Sequence, residues 1–210
     1  MNNSFDNDQP KAYHHGDLRN ALIRAGLEML AEGGAAALDL RKVARKAGVS
    51  HAAPYRHFAD KQTLIAAIIE IGFQRLTEHM RSTLHNMPTN VEAQLQGLAQ
   101  GYVSFAQSNP WLMREMFSGL TIEREAFPAV HQTAKGVYQL FVDVVRAGQA
   151  QARIREGDPG ELASVIWSML HGMATLIIEN QTRPYTDTPI GVERMIHMCT
   201  QMLYEGLGGR

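Results

Sequence analysis

Residues 39–61 read DLRKVARKAGVSHAAPYRHFADK, and the reading of this stretch decides the fold. At a helical period Leu40, Val43, Ala44 and Ala47 share one face, and Asp39 stands where an N-cap belongs. Gly48 closes the pattern at the position where a helix needs a left-handed C-cap. Val49 and the expected N-cap Ser50 follow at once, then a second short helical run through Phe58. Two helices joined across three or four residues, with Gly at the joint, make a helix-turn-helix. Ala44 is small, as a close crossing by the second helix requires. Charge agrees with this reading: Arg41, Lys42, Arg45, Lys46, Arg56 and Lys61 meet only Asp60 after the Asp39 cap. Such a basic face suits a phosphate backbone, although a solvated basic hairpin would carry the same residues.

Outward from this stretch, composition narrows the class. The chain has 210 residues, enough for one large domain or two modest ones, and 45% hydrophobic with 20% charged residues describes an ordinary globular protein. The net charge is −1 but unevenly spread: residues 1–85 hold 11 Lys and Arg against 9 Asp and Glu, residues 86–210 hold 9 against 12. Only the interval 41–61 is strongly basic, which points to one local anionic partner. Cys199 is the single cysteine, so no intrachain disulfide can form and a reducing compartment, the cytoplasm, is expected. The first sixteen residues are polar and lack the apolar core of a secretory signal. No charge occurs between Glu161 and Glu179, but Ser164, Ser168, His171, Gly172 and Thr175 interrupt the stretch. A helix buried on two sides explains it better than a membrane span does.

Residues 1–12 read as a polar terminus, from which Lys11, His14 and His15 could form an arm near an anionic partner. Adjacent histidines in such a segment do not make a metal site. A first helix is expected from an Asp17 cap to about Glu32, with Leu18, Leu22, Ile23, Leu27 and Leu30 as its apolar stripe and Gly33-Gly34 as its end. Lys61 opens a long helix reaching about His85. After the Pro88 break, helices are expected near 90–108, 110–118, 127–152, 160–181 and 189–206, separated by Asn109-Pro110, Phe127-Pro128, Gly157-Asp158-Pro159 and Thr188-Pro189. No convincing strand and no internal repeat occurs. The fold class is all-α: a head with its arm over 1–60, a connecting helix over 61–85, and a larger helical body over 86–210.

With these residues in hand, the chain resembles a TetR-type transcriptional repressor. The likeness covers about residues 15–80 and rests on the helix ending Gly-Gly, the RKVARKAGVS turn, Tyr55-Arg56-His57-Phe58, and Lys61 opening a long helix. A shorter likeness at Ala163–Gly172, ASVIWSMLHG, is similar to the Trp-His-Gly signature of one branch of the family's C-terminal domains. The resemblance implies a homodimer that binds a palindromic DNA operator and releases it when a small molecule enters the C-terminal domain. It implies that helix 50–58 lies in the major groove, with His51, Ala52 and Ala53 facing base edges and Arg56 as a longer polar reach. Arg41 would meet a base edge or phosphate, with Lys42 adding charge. Tyr55, His57 and Lys61 match phosphate-contacting positions, and Phe58 should be core. For His57 the alternative is a partly buried, hydrogen-bonded histidine. Where many relatives have Leu this chain has Pro54, which removes the first bond back to the Ser50 carbonyl. The helix then opens with a looser turn or begins nearer Ala53, with Pro54 in its favoured first position.

In the body, helices 160–181 and 189–206 carry Leu162, Val165, Ile166, Met169, Met173, Leu176 and Ile177, then Met195, Ile196, Met198, Met202 and Leu203. In the family these two helices meet their copies across a dimer interface. Candidates for an effector pocket are Tyr102, Phe105, Trp111, Met113, Met116, Phe117, Tyr138, Trp167 and His171, each of which could equally be ordinary core. Their composition suggests an apolar or aromatic effector. His171 needs a partner among apolar neighbours, and a core carbonyl is the expected one. No cofactor is implied, and no enzyme motif is found: no Gly-rich phosphate loop after a strand, no HExxH, no GxSxG. His197 and Cys199 are two apart, off a shared helical face, and do not pair on a metal; Glu115, Glu123 and Glu125 read as solvated surface. The competing class is an all-helical interaction protein whose basic head binds a protein rather than DNA.

Overall fold

A computed structural model describes residues 15–118 and 126–208. Lys11, His14, Glu123 and Glu125 therefore lie outside the described residues. Those described form eight α-helices and one 3₁₀ turn, with no strand; a single isolated bridge pairs Ile154 with Gly208. The chain divides into two compact units between Leu64 and Ile65.

The first unit is built on α1 (His15–Ala37) and α2 (Leu40–Lys46). Helix α1 begins at His15, so Asp17 lies inside it and is not the cap expected from the sequence. Its regular path breaks at Gly33 and Gly34, where Gly34 takes φ 65°, a conformation that glycine adopts without a side-chain clash. Helix α2 starts cleanly: the Asp39 carboxylate accepts the backbone N–H groups of Arg41 (2.9 Å) and Lys42 (3.1 Å). Its end is a Schellman closure. Gly48 at φ 70° donates to the Arg45 carbonyl (3.2 Å), and Val49 donates to that of Ala44 (3.0 Å). Leu40, Val43 and Ala44 are buried, together with Leu22, Ile23 and Leu30 of α1 and with Phe58. At roughly 1.5–3 kcal/mol for each large apolar side chain removed from water, this small core supports short helices that could not stand alone.

Helix α3 (Lys61–His85) begins where the sequence places it. Asp60 caps it, accepting the Thr63 N–H (2.8 Å) and hydroxyl (2.9 Å). Beyond Ile65 it belongs to the second unit, with α4 (Val91–Ser108), α5 (Pro110–Phe117), α6 (Pro128–Ala150), α7 (Pro159–Ile178) and α8 (Pro189–Leu207). Asn90, Asp158 and Thr188 cap α4, α7 and α8 through their side chains, and proline takes the first position of α5 to α8. Helix α4 is the axis of this unit and packs on α5, α6, α7 and α8. A Cβ at Gly101 would lie 3.1 Å from the Met80 backbone, so the absence of a side chain there sets how closely α4 crosses α3. Helix α7 is long and apolar enough to cross a membrane by length and composition alone. One side of it is buried, through Leu162, Ile166, Leu170, Met173 and Ile177. Its other side is exposed at Val165, Met169 and Leu176, so within one chain it is covered from one side and not from two.

Candidate functional site

The second element of the helix-turn-helix is not a helix over 50–58. It is a single 3₁₀ turn, Pro54–Arg56, and proline explains the difference. Pro54 has no N–H to give the Ser50 carbonyl, which instead takes the Ala53 N–H at 3.0 Å, a tighter three-residue closure. Ala53 is the N-cap, with no side-chain bond, and Pro54 occupies the first helical position. Ser50 does not cap it. Arg56 then donates to Ala53 (3.3 Å), and both His57 and Phe58 donate to Pro54 (2.9 Å each). Pro54 and Phe58 are buried while His51, Ala52, Tyr55 and Arg56 are exposed, Tyr55 by 52%; Ala53, His57 and Lys61 are half-buried. His51 to Ala53 thus sit on the turn that precedes regular structure, not on the first turn of a helix.

Charge on this face is narrower than composition implies. Lys46 binds back to α1, at 2.6 Å from Glu32 and 3.3 Å from Glu28. The Glu32 hydrogen bond, more than any other contact, holds its pKa above the ordinary lysine value. Its charge is therefore paired with α1 carboxylates at the surface, while Arg41, Lys42, Arg45 and Arg56 are exposed. The guanidinium of Arg19 lies 5.7 Å from the Phe58 ring centre and covers it. His57 has its Nε2 buried with no hydrogen-bond partner among the described residues, so the hydrogen-bonded histidine considered above is not met at that atom.

In the body, the aromatic candidates separate into a cluster and two outliers. Phe117 lies 4.6 Å from the His171 ring and 6.1 Å from that of Trp167, and Tyr102 lies 6.1 Å from His171. Tyr138 packs edge-on to Trp167 and donates to the Gly160 carbonyl at 2.6 Å. Phe73 and Phe141, which are not among the pocket candidates read from the sequence, join the same cluster against Phe117 and Tyr102. By contrast, Phe105 packs beside His79, and Trp111 is 42% exposed beneath the Arg114 guanidinium. Met116 is buried, and its sulfur is the atom nearest the Cβ that Gly72 lacks.

His171 finds its partner in a side chain, not a core carbonyl. Its Nδ1 lies 2.8 Å from the hydroxyl of the fully buried Tyr102, which also receives the Trp167 indole N–H at 3.4 Å. Burial pushes the Tyr102 phenol well above the ordinary tyrosine pKa and pulls His171 below the ordinary histidine value, so at neutral pH both are uncharged. A recess of about 270 Å³ opens beside His171, between α5 and α7, with Met113, Phe117, Thr175 and Ile178 on its walls. Arg114 borders it too, but its guanidinium is tied to the Glu179 carboxylate. A second recess of about 500 Å³ lies apart, among α3, α4 and α6, and holds none of the aromatic candidates. Among the described residues no three His, Cys, Asp or Glu side chains gather to hold a metal.

An exposed helix-turn-helix head on an all-helical body defines a DNA-binding transcription regulator. Two family models match: bacterial regulatory proteins of the tetR family over residues 22–68, and the tetracyclin repressor-like C-terminal domain over residues 95–199. The chain belongs to the TetR family. Among its relatives is the nucleoid occlusion factor SlmA of Aliivibrio fischeri, 28% identical over 142 residues that cover 66% of this chain and 70% of that protein. A protein of unknown function from Rhodococcus sp. RHA1 has the same fold at TM-score 0.83 and 33% identity, over 95% of this chain and all of its own. The regulator FadR from Bacillus subtilis, solved in complex with stearoyl-CoA, matches at TM-score 0.72 and 17% identity, over 89% of this chain and 98% of its own; this likeness is one of fold alone.

Proposed function

We propose that the chain is a cytoplasmic, homodimeric repressor that holds a palindromic operator and releases it when a small apolar or aromatic molecule enters the body. The observation that carries the dimer is an uncovered apolar face. Val165, Met169, Gly172 and Leu176 form one stripe at helical spacing on α7, and the half-buried Met195 with the exposed Met198 and Met202 form another on α8. Leu176 is 47% exposed and Met202 63% exposed, and together the stripes exceed the scattered apolar residues usual on a monomer's surface. A second copy related by a two-fold axis covers both stripes with the same residues.

In the head, Lys42, Tyr55, His57 and Lys61 are assigned to phosphates, which set register, and Arg41 to a phosphate or a base edge. His51, Ala52, Ala53 and Arg56 are assigned to base edges. The body's aromatic cluster and its recess are the effector site. FadR holds stearoyl-CoA on this fold, but a recess of about 270 Å³ suits a far smaller molecule.

Selection of bound duplexes from a random pool tests the reading. The expected product is a two-fold symmetric site with half-sites about one helical turn (~34 Å) apart, bound with steep salt dependence that weakens in Arg41→Ala, Arg56→Ala and Lys61→Ala. No enrichment of any duplex would overturn it in favour of a protein partner for the head. Asymmetric sites would overturn the dimer.

A further inference from the structure

The hydrogen bonds around Tyr102 leave one consistent arrangement of protons. An indole N–H can only donate, so the Tyr102 oxygen accepts from Trp167. The phenol proton of Tyr102 then needs an acceptor, and the one within reach among the described residues is His171 Nδ1. Were Nδ1 protonated instead, it would compete for the phenol oxygen and leave a buried hydroxyl proton with nowhere to go. Neutral imidazole carries its proton on one nitrogen only, so the proton of His171 sits on Nε2. Tyr102 occupies Nδ1, and His171 is among the residues that line the recess between α5 and α7, so Nε2–H is the polar group its ring has left to offer a ligand there.

We propose that Trp167 and Tyr102 fix His171 as its Nε2–H tautomer, so that the recess beside it receives apolar or aromatic molecules bearing an uncharged oxygen acceptor, such as a ketone, ester or lactone. This rests on the effector reading above and deepens it. Met113, Phe117 and Ile178 supply apolar walls for the body of the molecule. The cation nearby does not favour an anion, because Arg114 is neutralised by Glu179 and also donates to the Ile178 carbonyl. A carboxylate would have to break that pair or enter without compensation. Tyr102 and Trp167 are positioning residues here; His171 makes the polar contact with the ligand.

Two measurements test it. In the unliganded protein, ring ¹⁵N spectra of His171 should report Nε2–H, and Tyr102→Phe should mix the tautomers. In binding, the fluorescent ketone 2-acetyl-6-(dimethylamino)naphthalene should bind about tenfold more tightly than its 2-ethyl counterpart, which has lost only the carbonyl. The corresponding carboxylate should bind no better than the ethyl compound. His171→Phe should bring ketone and ethyl compound to parity while keeping the apolar walls. An Nδ1–H spectrum in the wild type, parity between ketone and ethyl compound, or no binding of either would overturn the proposal. The broader reading fails separately: a bound ketone with the expected preference that leaves affinity for the selected operator unchanged would overturn effector-driven release and leave the tautomer assignment standing.

Discussion

At the scale of single residues, conformation and protonation each isolate one position. Gly48 stands at φ 70°, and a Cβ added there would meet nothing within 4 Å. Any cost of substitution is therefore backbone strain and not a clash. Gly48→Ala should destabilise the protein by about 1–2 kcal/mol in denaturant melts, and Gly48→Asn by less, because asparagine tolerates the left-handed region. His171 provides a pH signature. Burial lowers its pKa in the folded protein, so the unfolded chain binds a proton first as the solution is acidified. The stability is complete above about pH 6.5, the ordinary histidine value, and is lost as pH falls through the depressed folded value. Thermal melts from pH 7.5 to 5 should show wild type losing midpoint temperature more steeply than His171→Phe. Parallel slopes would mean that the histidine is solvated in both states.

At the scale of elements, the helix-turn-helix is the place where local sequence rules were nearly sufficient. Asp39, Gly48 and the Lys61 start were legible because caps act within three or four residues of themselves, and Asp158 and Thr188, the caps of α7 and α8, fall in the breaks that the sequence marks as Gly157-Asp158-Pro159 and Thr188-Pro189. The second element was legible only in its alternative form. Pro54 forces the tight closure onto Ser50, which a periodicity reading over 50–58 does not register. The engagement of Lys46 with Glu28 and Glu32 was hidden for another reason, since it joins two helices and leaves no mark in the local pattern. The Tyr102–His171 bond, spanning 69 residues, was hidden for the same reason. Restoring an N–H with Pro54→Ala should let the turn wind towards α-helix and re-aim His51 to Ala53. The preferred bases at the inner positions of each half-site should then change, while the slope of log affinity against log salt stays the same because the phosphate contacts are kept. Comparing duplexes selected by the two proteins checks the first expectation, and a salt titration checks the second.

At the scale of the whole molecule, the exposed stripes of α7 and α8 link packing to function. Helix α7 is apolar on two sides, one satisfied by α4, α6 and α8 and the other, at Val165, Met169 and Leu176, left exposed among the described residues. A palindromic operator needs two heads in one complex, and a two-fold pairing of these stripes would bring two chains together. Leu176→Glu separates the two roles of the helix. Residue 176 is half exposed in the single chain, so a carboxylate there stays hydrated and the fold should be retained, with an unchanged far-ultraviolet circular dichroism spectrum. In a dimer that pairs these stripes the same carboxylate would be carried into an apolar interface, where desolvation opposes association. Sedimentation equilibrium should therefore show monomers at concentrations where wild type is dimeric, and operator affinity should fall by about 100-fold or more, as expected when two linked binding events become separate ones. A variant that keeps the dimer mass would place the interface on another face of the body. A monomer that still binds the full operator as tightly as wild type would show that the heads do not need the body to be paired.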